Sequence, residues 1–200
     1  MQRRSTVVFL ATIALAVTTW GGTFAAQAPA GRGQGGPGRG AQGPPVTTLA
    51  GDVQSDLDRT RELILNLVEA MPEDKFGFKP TPAQRSFAES AMHIVQVDGF
   101  LFNALGPKTA RPAINDKATT KADILTALRQ SYDWQAAVLK EFNDEQLVAR
   151  ITPPAFLGSS ASRLKVFYYN LQHTQDTYGQ LVVYVRLNGV TPPASRRGGV

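Results

Sequence analysis

His173, Asp176, Thr177 and Gln180 stand at i, i+3, i+4 and i+7 in the segment beginning Asn170-Leu-Gln-His-Thr-Gln-Asp-Thr. On a helix that spacing gathers an imidazole, a carboxylate, a hydroxyl and an amide onto one face. The chain has two histidines in all, and the other, His93, follows Ser86-Phe-Ala-Glu-Ser-Ala-Met. At helical spacing His93 sits between an apolar stripe and a polar side, while His173 falls among Val166, Tyr169 and Tyr184 and turns inward. Three chemistries suit such a pair. Two inward imidazoles on facing helices can hold a divalent metal; a catalytic zinc needs three protein ligands and an open position, so the third would be Asp176, Gln180 or a carboxylate from elsewhere. The imidazoles can instead be structural, hydrogen-bonded to Thr177, Gln180, a tyrosine or backbone. They can also act as acid and base without metal. Tyr169, Gln180 and Tyr184 read as lining the cavity between them, the tyrosines as packing residues whose hydroxyls reach a polar rim.

Other chemistries are excluded by composition. There is no cysteine, which removes disulfides, thiolate ligands, a lipoprotein anchor and a cysteine nucleophile. No phosphate loop, dinucleotide fingerprint or HExxH motif occurs, and the serines of Gly158-Ser-Ser-Ala-Ser162 lack the context of a nucleophile elbow. The net charge of +5 is set by the termini: Arg3, Arg4, Arg32, Arg39, Arg196 and Arg197 lie there, which leaves 15 basic against 16 acidic residues between 46 and 190. A nucleic-acid-binding domain carries its basic residues on the fold, so nucleic acid is not an expected partner. A small molecule is, and a homodimer is compatible with the sequence.

Around these residues the chain divides into four parts. Residues 1–25 read as a secretory signal peptide, with Arg3 and Arg4 before an apolar run from Val7 to Trp20 and small residues after it. The run is shorter than the ~20 apolar residues of a membrane helix, which predicts no stable membrane anchor after cleavage. The expected location is therefore outside the cytoplasm, periplasmic or extracellular. Residues 26–46 form a Gly/Pro/Arg/Gln tract with no large apolar side chain between Gln27 and Pro45, predicting a disordered linker. Residues 47–195 carry the folded domain and 196–200 a flexible tail.

The domain shows four helical patterns and no strand signal. The first spans about 48–71, with Leu57, Ile64, Leu67 and Met71 at helical spacing and Pro72 after it. The second, about 86–105, opens with the capping box Ser86-Phe-Ala-Glu89 and stops at Gly106-Pro107. The third covers about 121–142. The fourth, about 163–188, carries His173 and ends at Asn188-Gly189, with Pro192-Pro193 beyond. Its stripes are Phe167, Leu171, Tyr178, Val182 and Val185, and roughly opposite them Val166, Tyr169, Tyr184 and Leu187. The connection 143–162 is expected to be irregular and to lie near the bundle mouth. All-α architecture follows, an antiparallel or crossover four-helix bundle.

Three stretches resemble one family. Phe78-Lys-Pro-Thr-Pro-Ala-Gln-Arg-Ser-Phe-Ala-Glu-Ser-Ala-Met-His93, the helical run from His173 to Leu181, and Tyr184-Val-Arg-Leu-Asn-Gly-Val-Thr-Pro-Pro193 resemble the DinB-like superfamily, also described as YfiT-like metal-dependent hydrolases. The likeness spans about residues 50 to 195 and is most specific in the last helix. It implies a four-helix bundle holding zinc or nickel on three histidines, and a hydrolase or a transferase that uses low-molecular-weight thiols. His93 and His173 match two of the three ligand positions. Thr177 occupies the third, where threonine is a poor ligand, and Asp176 beside it is the candidate replacement.

Overall fold

The computed structural model describes residues 48–196. The expected signal peptide and linker, and residues 197–200 of the tail, lie outside the described residues. Four long helices build the domain: α1 (Leu49–Ala70), α2 (Phe87–Asn103), α3 (Lys121–Leu139) and, after a short α4 (Asp144–Val148), α5 (Arg163–Leu187). Among the described residues no helix is long and apolar enough to cross a membrane.

The helix ends follow from local chemistry. Thr48 caps α1 by accepting from Gly51 N–H, and the Asp144 carboxylate accepts from the N–H groups of Leu49 and Ala50. A carboxylate at those unpaired N–H groups also meets the positive end of the helix dipole. Ser86 and Glu89 close a reciprocal box at the start of α2. At the far end of α5, Gly189 adopts φ 74°. Its N–H donates to Arg186 C=O and that of Val190 to Val185 C=O, a Schellman closure that needs the left-handed region glycine enters freely.

Two expectations need correction. The third helix stops at Leu139 rather than near 142, because Asn143 and Gln146 form their own capping box and start α4. The connection that follows is ordered and contains strands: β1 (Arg150–Ile151) pairs antiparallel with β2 (Ala161–Ser162). The Arg150 guanidinium donates to Ser160 Oγ and C=O, and Arg163 N–H to Ala149 C=O. Pairings this short carry no alternating apolar pattern for a sequence to display.

Named contacts fix the topology. Arg61 pairs with Asp133 and Lys121 with Glu69, so α1 and α3 are antiparallel. Asp98 meets Ser131 and Gln135, and Phe102 meets Trp134, so α2 and α3 run parallel. Phe87 meets Tyr184 while Phe102 meets Phe167, so α2 and α5 are antiparallel. The order is up, down, down, up, and residues 104–120 return along α2 to make the crossover. The Glu141 carboxylate holds that return by accepting from Lys108 and Thr109 N–H, and Arg111 donates back to Val95 C=O.

The apolar core falls into two clusters, one at each end of the bundle. One joins Ile64, Leu67, Phe87, Ile94, Leu128 and Leu181; the other joins Val53, Leu101, Phe102, Trp134, Val138 and Phe167. Between them lies a buried polar layer, Thr60, Asp98, Ser131, Gln135, Asn170 and Thr174, drawn from all four long helices. Leu187, expected in a packed stripe, is 59% exposed, whereas Tyr184 and Val185 on the same turn are buried. Ser86→Ala removes the α2 cap one turn before the layer's site side, and is expected to cost about 1 kcal/mol; urea midpoints of the two proteins check this.

Candidate functional site

Ser86 starts α2, and two turns later His93 projects toward α5, where Ser162 caps a helix that presents His173. The Nε2 atoms of the two imidazoles lie 3.3 Å apart with ring planes at 70°. Both rings are half-buried. They line a pocket of about 120 Å³ whose other walls are Arg85, Ser90, Asp176, Thr177 and Gln180. Every one of these side chains is polar.

The pair is neutral. Burial holds His93 below the usual imidazole range, and Arg85 and His173 push it the same way; burial also lowers His173, Asp176 opposing and Arg85 reinforcing. A neutral pair at this distance shares one proton, which resolves the tautomers. Nδ1 of His173 is buried with no partner. A lone pair left without a donor costs less than an N–H left without an acceptor. His173 therefore donates from Nε2 and His93 accepts. Long-range ¹H–¹⁵N spectra should show His173 as the Nε2–H form, with both rings titrating below the ordinary histidine value; an Nδ1–H form for His173 would contradict this assignment.

The spacing also fits two corners of a metal site. Two zinc–nitrogen bonds of about 2.0–2.1 Å at the tetrahedral angle place their nitrogens about 3.3–3.4 Å apart. The third corner is missing. Thr177 stands one turn from His173, but its hydroxyl donates to the His173 carbonyl at 3.0 Å, the back-bonding typical of a helical threonine. Asp176 is exposed, and one of its oxygens accepts from Gln180 Nε2. Among the described residues no three His, Cys, Asp or Glu side chains are grouped to hold a metal. The residues fit two of the three protein ligands and not a complete centre.

Two expected cavity residues lie elsewhere. Tyr184 packs against Phe78 and Phe87, and its hydroxyl donates to the Arg85 carbonyl. It props the loop that carries Arg85. Tyr169 packs on Phe156, in the connection before α5, because the helix turns its ring toward the other end of the bundle. Gln180 does line the pocket. Two lining residues carried little signal: Ser90 precedes His93 by one turn and so shares its face, whereas Arg85 comes from a loop with no periodicity. Arg85 also lines a larger groove of about 870 Å³, formed between the 73–89 segment, α2 and the 116–119 segment. The small pocket and the groove meet at this residue.

Asp98, half a turn beyond a helical repeat from His93, is the other feature that periodicity missed. It is fully buried, accepting from Ser131 Oγ at 2.8 Å and Gln135 Nε2 at 2.7 Å. Gln135 in turn accepts from Asn170 Nδ2. Burial pushes the Asp98 carboxyl up to about 7, against the opposing pull of Ser131, Asn170, Arg111 and Gln135. Among the described residues neither Asp98 Oδ1 nor Asn170 Oδ1, both buried, has a donor, and a proton on the carboxyl removes the lone pair that Asp98 would otherwise leave unpaired.

The sequence model of the family described as the DinB superfamily matches residues 56–181. The chain belongs to the DinB superfamily. Within it, the chain is similar to the uncharacterized protein YjoA of Bacillus subtilis (strain 168), 24% identical over 131 residues, which cover 66% of this chain and 85% of YjoA. Two crystal structures share the fold. A DinB-like protein from Bacillus cereus ATCC 10987 superposes with a TM-score of 0.64 at 19% identity, covering 73% of this chain and 96% of the other. That of B. subtilis YjoA does so with a TM-score of 0.56 at 22% identity, covering 69% and 92%. The stretch matched to the DinB superfamily contains His93, His173 and Thr177, and the crossover bundle is the architecture that brings α2 and α5 side by side.

Proposed function

We propose that this DinB-superfamily protein binds a small molecule in the pocket where α2 meets α5, using His93 and His173 as a neutral hydrogen-bonded pair and not as ligands of a resident metal. The donor count at the pair carries this reading: two imidazoles converge, and the position one turn beyond His173 holds a threonine whose hydroxyl bonds its own helix. Support for a ligand comes from the wall chemistry: five polar side chains converge with the two imidazoles on one pocket, and that pocket meets the larger groove at Arg85. With no metal centre completed by the described residues, recognition is the role this wall of polar groups supports. Export remains part of the proposal, supported by the signal-type segment of residues 1–25.

A second reading is favoured by the 3.3 Å spacing alone: a zinc or nickel ion held by the two imidazoles and completed by donors of a bound molecule, as in a hydrolase or transferase. Because the chain has only two histidines, untagged protein gives two imidazole signal sets. A compound screen read on those signals tests the first reading. Compounds that move both sets, and fail to bind His93→Gln, are the expected result. Signals that no compound moves unless zinc or nickel is present contradict it.

A further inference from the structure

We infer that the pocket is an amino-acid site, taking a small zwitterion whose carboxylate lies on Arg85 and whose ammonium lies on Asp176. The inference rests on the small-molecule reading above and names the ligand class. Charge placement carries it. Arg85 and Asp176 face the same pocket, from the loop before α2 and from α5 respectively, and both act electrostatically on His173 between them. Yet no ion pair joins them among the described residues, whereas Arg61 closes on Asp133 at 2.7 Å and Lys79 on Glu89 at 3.2 Å.

Opposite charges that share a pocket and stay apart leave a gap that a molecule bearing both charges spans. The Arg85 guanidinium makes no hydrogen bond to any described residue, so its planar fork is available for a carboxylate. Gln180 occupies one oxygen of Asp176 and leaves the other for an ammonium. A simple anion would meet the repulsion of Asp176, and a simple cation that of Arg85; only the zwitterion is attracted at both ends. The His93–His173 pair, being neutral, favours neither sign.

Size points the same way. A pocket of about 120 Å³ has room for about four waters at ~30 Å³ each, enough for an amino-acid head group. The side chain of the ligand then leaves past Arg85 into the groove of about 870 Å³.

The test titrates untagged protein with alanine, acetate and ethylamine, reading the two imidazole signal sets. Alanine is expected to saturate both, with acetate and ethylamine weaker by roughly tenfold or more, the scale of one lost charge-assisted contact. Arg85→Gln and Asp176→Asn each reduce alanine to the level of a one-charge probe. Both positions are exposed, and unchanged urea midpoints confirm that the variants fold. Acetate binding as tightly as alanine, with Asp176→Asn silent, overturns the zwitterion and leaves the small-molecule reading intact. If none of the three probes moves either signal, the amino-acid assignment fails, and the wider screen decides the small-molecule reading separately.

Discussion

Relative to Asp98→Asn, wild type is expected to lose on the order of 4 kcal/mol of folding free energy as pH rises from about 4 to about 7. Burial raises the Asp98 carboxyl from 3.8 to about 7, so in this interval the folded state holds a proton that the unfolded chain has released. The contribution of Asp98 must then fall with rising pH through the window and level off above it, while the lowered His93 and His173 act in the opposite direction in both proteins. The groups facing Asp98 are Ser131, Gln135 and Tyr132 on α3, Asn170 on α5 and Arg111 on the crossover. Of these, Arg111 alone is cationic, and its pull is included in the raised value. Asparagine reproduces the protonated acid: its oxygen accepts from Ser131 and Gln135, and a neutral amide stands where the buried Oδ1 lacks a donor. Asp98→Leu would instead strand two buried donors at a cost of a few kcal/mol. Urea unfolding of wild type and Asp98→Asn below, inside and above the window checks the claim. Parallel stability curves for the two proteins would refute it.

Thr177→His is expected to turn the pair into a metal centre. Histidines four residues apart lie on one helical face, the arrangement that holds zinc in helical HExxH sites. A ring at 177 therefore stands beside His173 and can reach the cation position that His93 and His173 already bracket at 3.3 Å. The side chain it replaces is buried but hydrogen-bonds only its own helix, so removing it breaks no hydrogen bond between helices. The variant should bind one zinc or nickel with three imidazoles and an open fourth position. Thermal stability should then depend on metal, with a gain of about 2.7 kcal/mol at a hundredfold excess of free metal over Kd, reversed by chelator. Wild type should show little of this dependence. A Thr177→His protein whose melting ignores both metal and chelator would show that the helices do not converge as described.

How much could be read from the chain differs by element. The second and fourth expected helices were legible because their ends are chemical: a Ser-x-x-Glu box at Ser86, and a glycine at 189 that only a left-handed closure explains. The crossover order was not, since periodicity assigns a face to each helix and says nothing of which neighbour it meets. His93 and His173 could be placed on two helices, while their separation depended on that order. Tyr169 and Tyr184 were misassigned for the same reason: a helix buried broadly has no single inward face, and its tyrosines turn to opposite ends of the bundle. Asp98 was invisible because an isolated acid beside Val97 and Gly99 looks like an exposed one. Its burial is compensated by Ser131, Gln135 and Asn170, on helices distant in sequence. Arg85 lay in a loop, where residue type alone does not announce a role.

Whether His93 and His173 form a recognition pair without a resident metal is decided by elemental analysis of untagged wild-type protein alongside His93→Ala. Far less than one zinc or nickel per chain is expected in both proteins. One metal per wild-type chain, lost in His93→Ala, would contradict it.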